Sequence, residues 1–533
     1  MTSTLPKTAG WGLAALLACT VSAGAVRAAE ASGPALIAAN CGTCHIPAAD
    51  GRFPRIADIR KTPEGWDMTL SRMERWHGVH VEAADRAAIV KYLADTQGLA
   101  PAETAPFRYA LEQRPGMVET HADAELGQFC ARCHSMARPG LQRRDGAEWK
   151  RLINTHVGQW PTLEFQMMGR DRDWWTTANT TIKDKLAKAW GFSSSAWSKW
   201  KGHAAASPAG VWAVAGHQPG KGDYVGTLTV SGGAGDQYTL AYDLTYANGE
   251  TAKAEGKSIL FTGYEWRGSV ELAGKPVREV YQLSADGSRL EGRWFDEVHD
   301  ELGGDAVLVK TGAKPALVAA QPQALKAGAA ATVTLVGSGL DGQVDFGPGI
   351  KVLGSEPRPW GLSVRVEVAP GTAAGKRDVA VGGSKLAGAL AIYDKIDSLR
   401  VEPEMTIARI GDGGGPIPRH LAQFEAIGYL NGKDGKPGTK DDIRLGALPA
   451  QWSTDNFDDT AKALEDAKFA GTIDQSGLFT PGEAGPNPQR AYHTNNVGNL
   501  KVAASVEDGR GDKVGGDAHL IVTVQRWVDG WIR

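Results

Sequence analysis

Cysteine is scarce in this chain. Only five occur in 533 residues, too few and too clustered for a secreted disulfide framework, which spreads its cysteines along the sequence. There is no basic excess either. The net charge is −3 and no strong basic run occurs, which argues against a nucleic-acid binder. Beyond the N-terminus no apolar run is long enough to span a bilayer. Nucleophile-elbow, phosphate-cradling glycine-loop and zinc-helix motifs are missing as well, which leaves the common hydrolase, nucleotide-binding and zinc-peptidase readings without support.

What is present starts with an export signal over residues 1–28. Lys7 supplies the positive charge, "WGLAALLACTVSAGAV" the apolar stretch, and Val26-Arg27-Ala28 a cleavage tripeptide of the A-x-A type. An uncleaved membrane anchor is the competing reading, and the short, alanine-rich run disfavours it. Cys19 leaves with the signal. The other four cysteines all fall in C-x-x-C-H: "CGTCH" from Cys41 and, 89 residues on, "CARCH" from Cys130. Two thiols at this spacing add to the two vinyl groups of one haem, and the following histidine reaches the iron, the pattern of a c-type site. Zinc would need a fourth protein ligand, and a redox C-x-x-C needs no histidine. The expectation is two covalently bound c-type haems, on Cys41 and Cys44 with His45, and on Cys130 and Cys133 with His134.

The sixth ligand of such a haem is usually Met or His. Aligning Trp66 of "PEGWDMTLSRMERWHGV" on Trp149 of "DGAEWKRLINTHVGQW" places Met73 opposite His156. The pairs His45/Met73 and His134/His156 follow, with His77 and His80 as rivals at the first haem and Met167 and Met168 at the second. "VEAADRAAIVKYLADTQG" reads as a helix with Ala84, Ala87, Ala88, Val90 and Leu93 on its apolar face and Gly98 as its stop. "GLAPAETAPF" reads as a linker between two cytochrome units, 29–104 and 105–204.

From residue 205 the pattern changes to apolar-polar alternation between glycine-rich turns, with Asn248-Gly249 a strong tight-turn signal. The fold expected is multidomain: an all-α dihaem cytochrome c domain over 29–204, then three all-β domains. These are a small antiparallel barrel over 205–313, an immunoglobulin-like sandwich over 314–394, and a second immunoglobulin-like domain over 395–533 with a helix near 458–466. Asn431 to Asp442, "NGKDGKPGTKDD", offers oxygen ligands for calcium but not at the spacing of the twelve-residue loop, so a polar hairpin is expected. His217, His299, His420, His493 and His519 are scattered with no metal-site spacing.

Two haem motifs followed by β modules in this order resemble the alpha subunit of quinohemoprotein amine dehydrogenase. The resemblance rests on "CGTCHIPAADGRFPRI", "GWDMTLSRMERW", "FCARCHSMARPG", "EWKRLINTHVGQWPTLEFQ" and "NGKDGKPGTKDDIRLG" and covers the chain after the signal. It implies a periplasmic heterotrimer with a β-propeller subunit and a small γ subunit bearing a cysteine tryptophylquinone. That quinone oxidises primary amines to aldehyde and ammonia, and electrons leave through the α-subunit haems to a soluble copper protein or cytochrome c. A dihaem peroxidase, and a cytochrome fused to β binding modules, are the alternatives.

Overall fold

The computed structural model describes residues 32–525, apart from 167–168, 204–205 and 313. The export segment, Met167 and Met168 therefore lie outside the described residues. The first helical unit holds α1 (Gly33–Cys41), α2 (Pro63–His77) and α3 (Ala83–Thr96). Each end of α2 has a local cause. Thr62 caps it by accepting from the Gly65 N–H, Pro63 opens it, and Gly78 closes it at φ 65°. Helices α1 and α3 cross at Gly33, where a Cβ would lie 2.2 Å from Tyr92 Cγ, so only glycine permits the approach. Ile37, Trp66, Leu70, Ile89 and Leu93 form the unit's core.

The buried face of α3 differs from the expected one. It is Ile89, Val90, Leu93 and Ala94, while Ala84, Ala87 and Ala88 are exposed. Gly98 is not the helix stop, since α3 ends at Thr96 with Gln97 as its cap. A Cβ on Gly98 would sit 2.7 Å from Thr262 Oγ1 of the barrel, so its role is close approach.

The presumed linker is structured. It forms α4 (Pro101–Thr104), with Glu103 and Thr104 buried, and a tight turn at Ala105–Phe107 that leads straight into α5 (Arg108–Leu111). The second unit follows as α6 (Ala124–Cys130), α7 (Ala137–Gly140) and α8 (Gly146–Gln159), packed around Trp149, Ile153, Trp174 and Leu186.

The haem region is not all-α. Strands β1 (Ile59–Lys61) and β2 (Gln142–Arg144) pair antiparallel in the register Ile59↔Arg144, Arg60↔Arg143, Lys61↔Gln142. Each strand runs straight into a capped helix, through Thr62 into α2 and through Asp145 into α8. One turn into each helix stands a buried tryptophan. Trp66 Nε1 donates to the Gln97 carbonyl at 3.3 Å and Trp149 Nε1 to the Trp190 carbonyl at 3.2 Å. Around the central Arg60↔Arg143 pair the two units thus repeat the same strand, cap, helix and tryptophan in opposite directions. Glu103 bridges those two arginines. It accepts from both Arg60 Nη atoms at 2.9 Å, from Arg143 Nε at 3.0 Å and from Ser194 at 2.8 Å. Burial works against its ionised form, but the Arg60 and Ala100 hydrogen bonds and the Arg143 charge outweigh it and hold the carboxyl down at about 2.

Eight strands from β3 (Gly210–Gln218) to β10 (Gly303–Lys310) close an up-and-down barrel, each pairing with the next and the last with the first. Alternation puts Trp212, Tyr242, Trp266 and Tyr281 inside. Asn248-Gly249 makes the expected turn, with Gly249 at φ 87°. The barrel carries the haem region on one side. Tyr264 Oη donates to the Leu99 carbonyl at 3.1 Å, the Thr262 N–H donates to Asp95 at 2.7 Å, and Arg267 pairs with Glu64 at 2.5 Å.

Residues 316–393 form two four-stranded sheets sharing one core of Val333, Leu335, Val364, Val366, Val379 and Ile392. The last domain departs from a two-sheet sandwich. It has sheets of three, four and three strands, with short helices at Asp459–Ala463 and Asp466–Phe469. The Asn431–Asp442 stretch is a polar hairpin loop whose carboxylates accept main-chain N–H groups, Asp441 from Lys433 at 2.6 Å and Asp442 from Gly438 at 2.9 Å. Among the described residues no helix is long and apolar enough to cross a membrane.

Candidate functional site

Both C-x-x-C-H stretches start on the last residue of a helix, α1 at Cys41 and α6 at Cys130. The chain then makes one further turn. The Cys44 and His45 N–H groups donate to the Cys41 carbonyl at 3.2 and 2.9 Å, and the Cys133 N–H donates to Cys130 at 3.3 Å. A helical turn puts i, i+3 and i+4 on one face, so each motif presents two thiols and an imidazole to one side. All four thiols are free, not paired as disulfides. Burial pushes the Cys41 thiol up, and the Cys130 thiol up to about 12, the opposite of the activated thiolate a redox C-x-x-C requires.

The imidazoles are oriented by the main chain. His45 Nδ1 lies 3.1 Å from the Pro54 carbonyl, His134 Nδ1 2.9 Å from that of Ser135, and His156 Nδ1 3.0 Å from that of Leu152. A ring that donates through Nδ1 keeps the Nε2 lone pair for a metal. Burial lowers the pKa of His134 and His156, which favours the neutral, ligating form.

The second site brings its two predicted ligands together. The His134 and His156 rings face each other with centroids 6.4 Å apart and planes 35° from parallel. Two metal–imidazole bonds of about 2 Å each, plus the two ring radii, span such a gap. Phe129 stacks on Trp174 at 5.6 Å, and the His156 ring lies 5.7 Å from Trp174, which gives the site an aromatic wall. At the first site Met73 is half-buried on α2, at the position His156 holds on α8. Its rivals are exposed, and His80 is 82% exposed and paired with Glu82 at 3.2 Å.

Zinc fits neither motif. Among the described residues one group of three His, Cys, Asp or Glu side chains comes close enough to share a metal ion, and it lies elsewhere: Asp300, Glu301 and His420. The residues at both motifs fit c-type haem, with thiols on one face and an Nε2 presented beside them.

Four family models match in succession: "Quinohemoprotein amine dehydrogenase A, alpha subunit, haem binding" over residues 31–197, and domains II, III and IV of the same alpha subunit over 205–311, 314–394 and 399–532. The chain belongs to the quinohemoprotein amine dehydrogenase alpha-subunit family. It is a haem-binding electron-transfer subunit of a multi-subunit oxidoreductase. No curated protein matches the chain. Among solved structures, a redesigned β-barrel, mFAP1, bound to DFHBI is 10% identical and covers 19% of this chain and 94% of its own, at a TM-score of 0.18. A mouse clustered protocadherin, PcdhgC3 EC1-3, is 9% identical and covers 47% and 86%, at 0.17. At these scores neither likeness bears on function.

Two features of the fold were not legible in the sequence. Glu103 lay in a stretch read as linker. Three of the histidines read as scattered, His217, His299 and His420, meet carboxylates where the barrel meets the last domain, while His519 packs on Phe457 within that domain. His217 sits between Asp223 at 2.7 Å and Glu425 at 2.8 Å, and Glu301 accepts from the Leu421 N–H at 2.6 Å beside His299 and His420. Asp223 and Glu301 lie close in sequence to His217 and His299, but Glu425 and His420, which complete the pairings, come from about 120 to 210 residues away.

Proposed function

We propose that this chain is the dihaem relay of a periplasmic amine dehydrogenase. Cys41, Cys44 and His45 hold one c-type haem and Cys130, Cys133 and His134 the other, with Met73 and His156 as the sixth ligands. Its partners are a β-propeller subunit and a small γ subunit whose cysteine tryptophylquinone oxidises primary amines. The chain takes electrons from that quinone and delivers them to a soluble copper protein or cytochrome c. The observation carrying this reading is the pair of C-x-x-C-H turns whose histidines are locked through Nδ1 onto main-chain carbonyls.

Bound haem supplies a one-electron iron couple. The chain's own residues supply everything that fixes it: cysteine tethers, oriented imidazoles and an aromatic wall. Once the signal is removed, every cysteine is committed to a haem motif, so none is left to build a cysteine-linked quinone here. A peroxidase needs an open or displaceable sixth position, and His156 facing His134 disfavours that at the second site.

The test uses the purified full chain. Haem stain should survive denaturing electrophoresis, and the intact mass should exceed the signal-free polypeptide by two haems. Dithionite should reduce the chain, while a primary amine should do so only after the partner subunits are added. One haem, or amine oxidation by the chain alone at a normal rate, overturns the reading.

A further inference from the structure

On the face of the β1–β2 ladder away from Glu103, cations crowd the seam between the two units and Glu148 is the carboxylate paired there. Lys61, 4% exposed, ends β1; its Nζ donates to Thr69 Oγ1 at 2.5 Å and lies 5.6 Å from the Trp66 ring centroid. Arg144, 5% exposed, ends β2; its Nη1 is 3.5 Å from Glu148 Oε2 and its guanidinium 5.9 Å from the Trp149 ring centroid. The two occupy the same place in their units, one residue before the helix cap and beside the buried tryptophan. Arg72, next to Met73, lies within Coulomb reach of Lys61, Arg138, Arg144 and His156, and Arg138 reaches His134.

Negative charge is short here. Among the described residues no carboxylate lies within ion-pair distance of Lys61 or Arg72. Glu148, the partner of Arg144, is also approached by Arg55 at 3.8 Å and by Arg151. Burial, with Arg144 and Arg72 nearby, pushes the Lys61 ammonium well below its ordinary range. A buried cation without a counter-ion is costly, and an anion brought to this seam removes that cost.

We infer that Lys61, Arg72, Arg138 and Arg144 form a carboxylate-binding seam that receives the propionates of both haems, so that one cation cluster sets both reduction potentials. This rests on the two-haem reading above. A nearby cation disfavours the more positive, oxidised iron, so it raises the potential. Because Arg72, on α2 of the first unit, is within charge reach of Arg138, Arg144 and His156 of the second, its loss should be felt at both.

The experiment is a spectroelectrochemical titration of the haem-loaded full chain and its variants, after counting haems by intact mass. Arg72→Gln should lower both midpoints by at least tenfold in each one-electron equilibrium, about 59 mV. Lys61→Met should lower the first haem's potential, and Lys61→Arg should restore it. Arg151→Gln, on an exposed partner of Glu148 outside the seam, should change neither. In redox-difference infrared spectra with the haem carboxylates isotopically labelled, the label-sensitive band should move in Arg72→Gln and Lys61→Met. If two haems are retained yet both potentials and the labelled band of Arg72→Gln are unmoved, the inference is overturned. Should Lys61→Met fail to fold, half-buried Arg72 decides alone. Fewer than two haems in the unmutated chain would instead overturn the functional reading.

Discussion

His134 and His156 come from different helical segments, yet their rings face each other with centroids 6.4 Å apart, each tied through Nδ1 to a main-chain carbonyl. The pair is preorganised by the protein: α8 fixes one ring and the turn after α6 fixes the other.

The two sixth-ligand assignments separate spectroscopically. Met73→Ala should remove the weak long-wavelength band of methionine-ligated ferric haem and leave the second haem's spectrum unchanged. His156→Ala should do the converse, converting a low-spin bis-histidine spectrum to a high-spin one while the methionine band persists. Visible absorption of the oxidised chain checks both, and a methionine band that survives in Met73→Ala would rule that residue out.

Glu103 stands between Arg60 and Arg143, all three buried. Glu103→Gln leaves two buried guanidinium groups without their shared anion, and unfolding should become easier by on the order of 3–5 kcal/mol. The folded carboxyl is held at about 2, below its ordinary 4.5. Its contribution is therefore complete above pH 4.5 and lost as pH falls through 2. Denaturant unfolding at neutral and acid pH tests both statements, and a glutamine variant as stable as the parent would deny Glu103 this role.

His217 gives the opposite pH dependence. Burial opposes its charge, but Asp223 and Glu425 outweigh it and lift its pKa from 6.5 to about 10. A raised folded value means the stabilisation is complete below pH 6.5 and disappears as pH rises through 10. Since Glu425 belongs to the last domain, the contact between that domain and the barrel should weaken over this window. Thermal unfolding between pH 6 and pH 10 should show the decline, and His217→Gln should be less stable at pH 6 and flatter with pH.

Local chemistry made much of this protein legible in advance. C-x-x-C-H needs only five neighbouring residues, and the barrel announces itself through alternation such as that of Gln237–Tyr246, whose buried positions fall on every second residue. The Trp66/Trp149 alignment also placed Met73 and His156 at equivalent helical positions. What stayed hidden depends on distant partners. "GLAPAETAPF" looks like a spacer because Glu103 acquires its meaning from Arg60 and Arg143, about 40 residues away on either side. The three-residue strands of the ladder are too short to show a period. On α3 the alanines Ala84, Ala87 and Ala88 carry too little apolar surface to say which face turns inward, and Ile89 and Ala94 decide it.

The ladder between β1 and β2 has a further consequence. It joins the units through main-chain hydrogen bonds between Ile59–Lys61 and Gln142–Arg144, and the helices that bear Met73 and His156 begin directly after it. On the two-haem reading proposed above, the spacing between the two redox centres is set by backbone geometry, while the side chains around them would set the energy of each. Tunnelling distance and driving force become independent variables: substitutions can retune one centre against the other without stretching the gap an electron must cross.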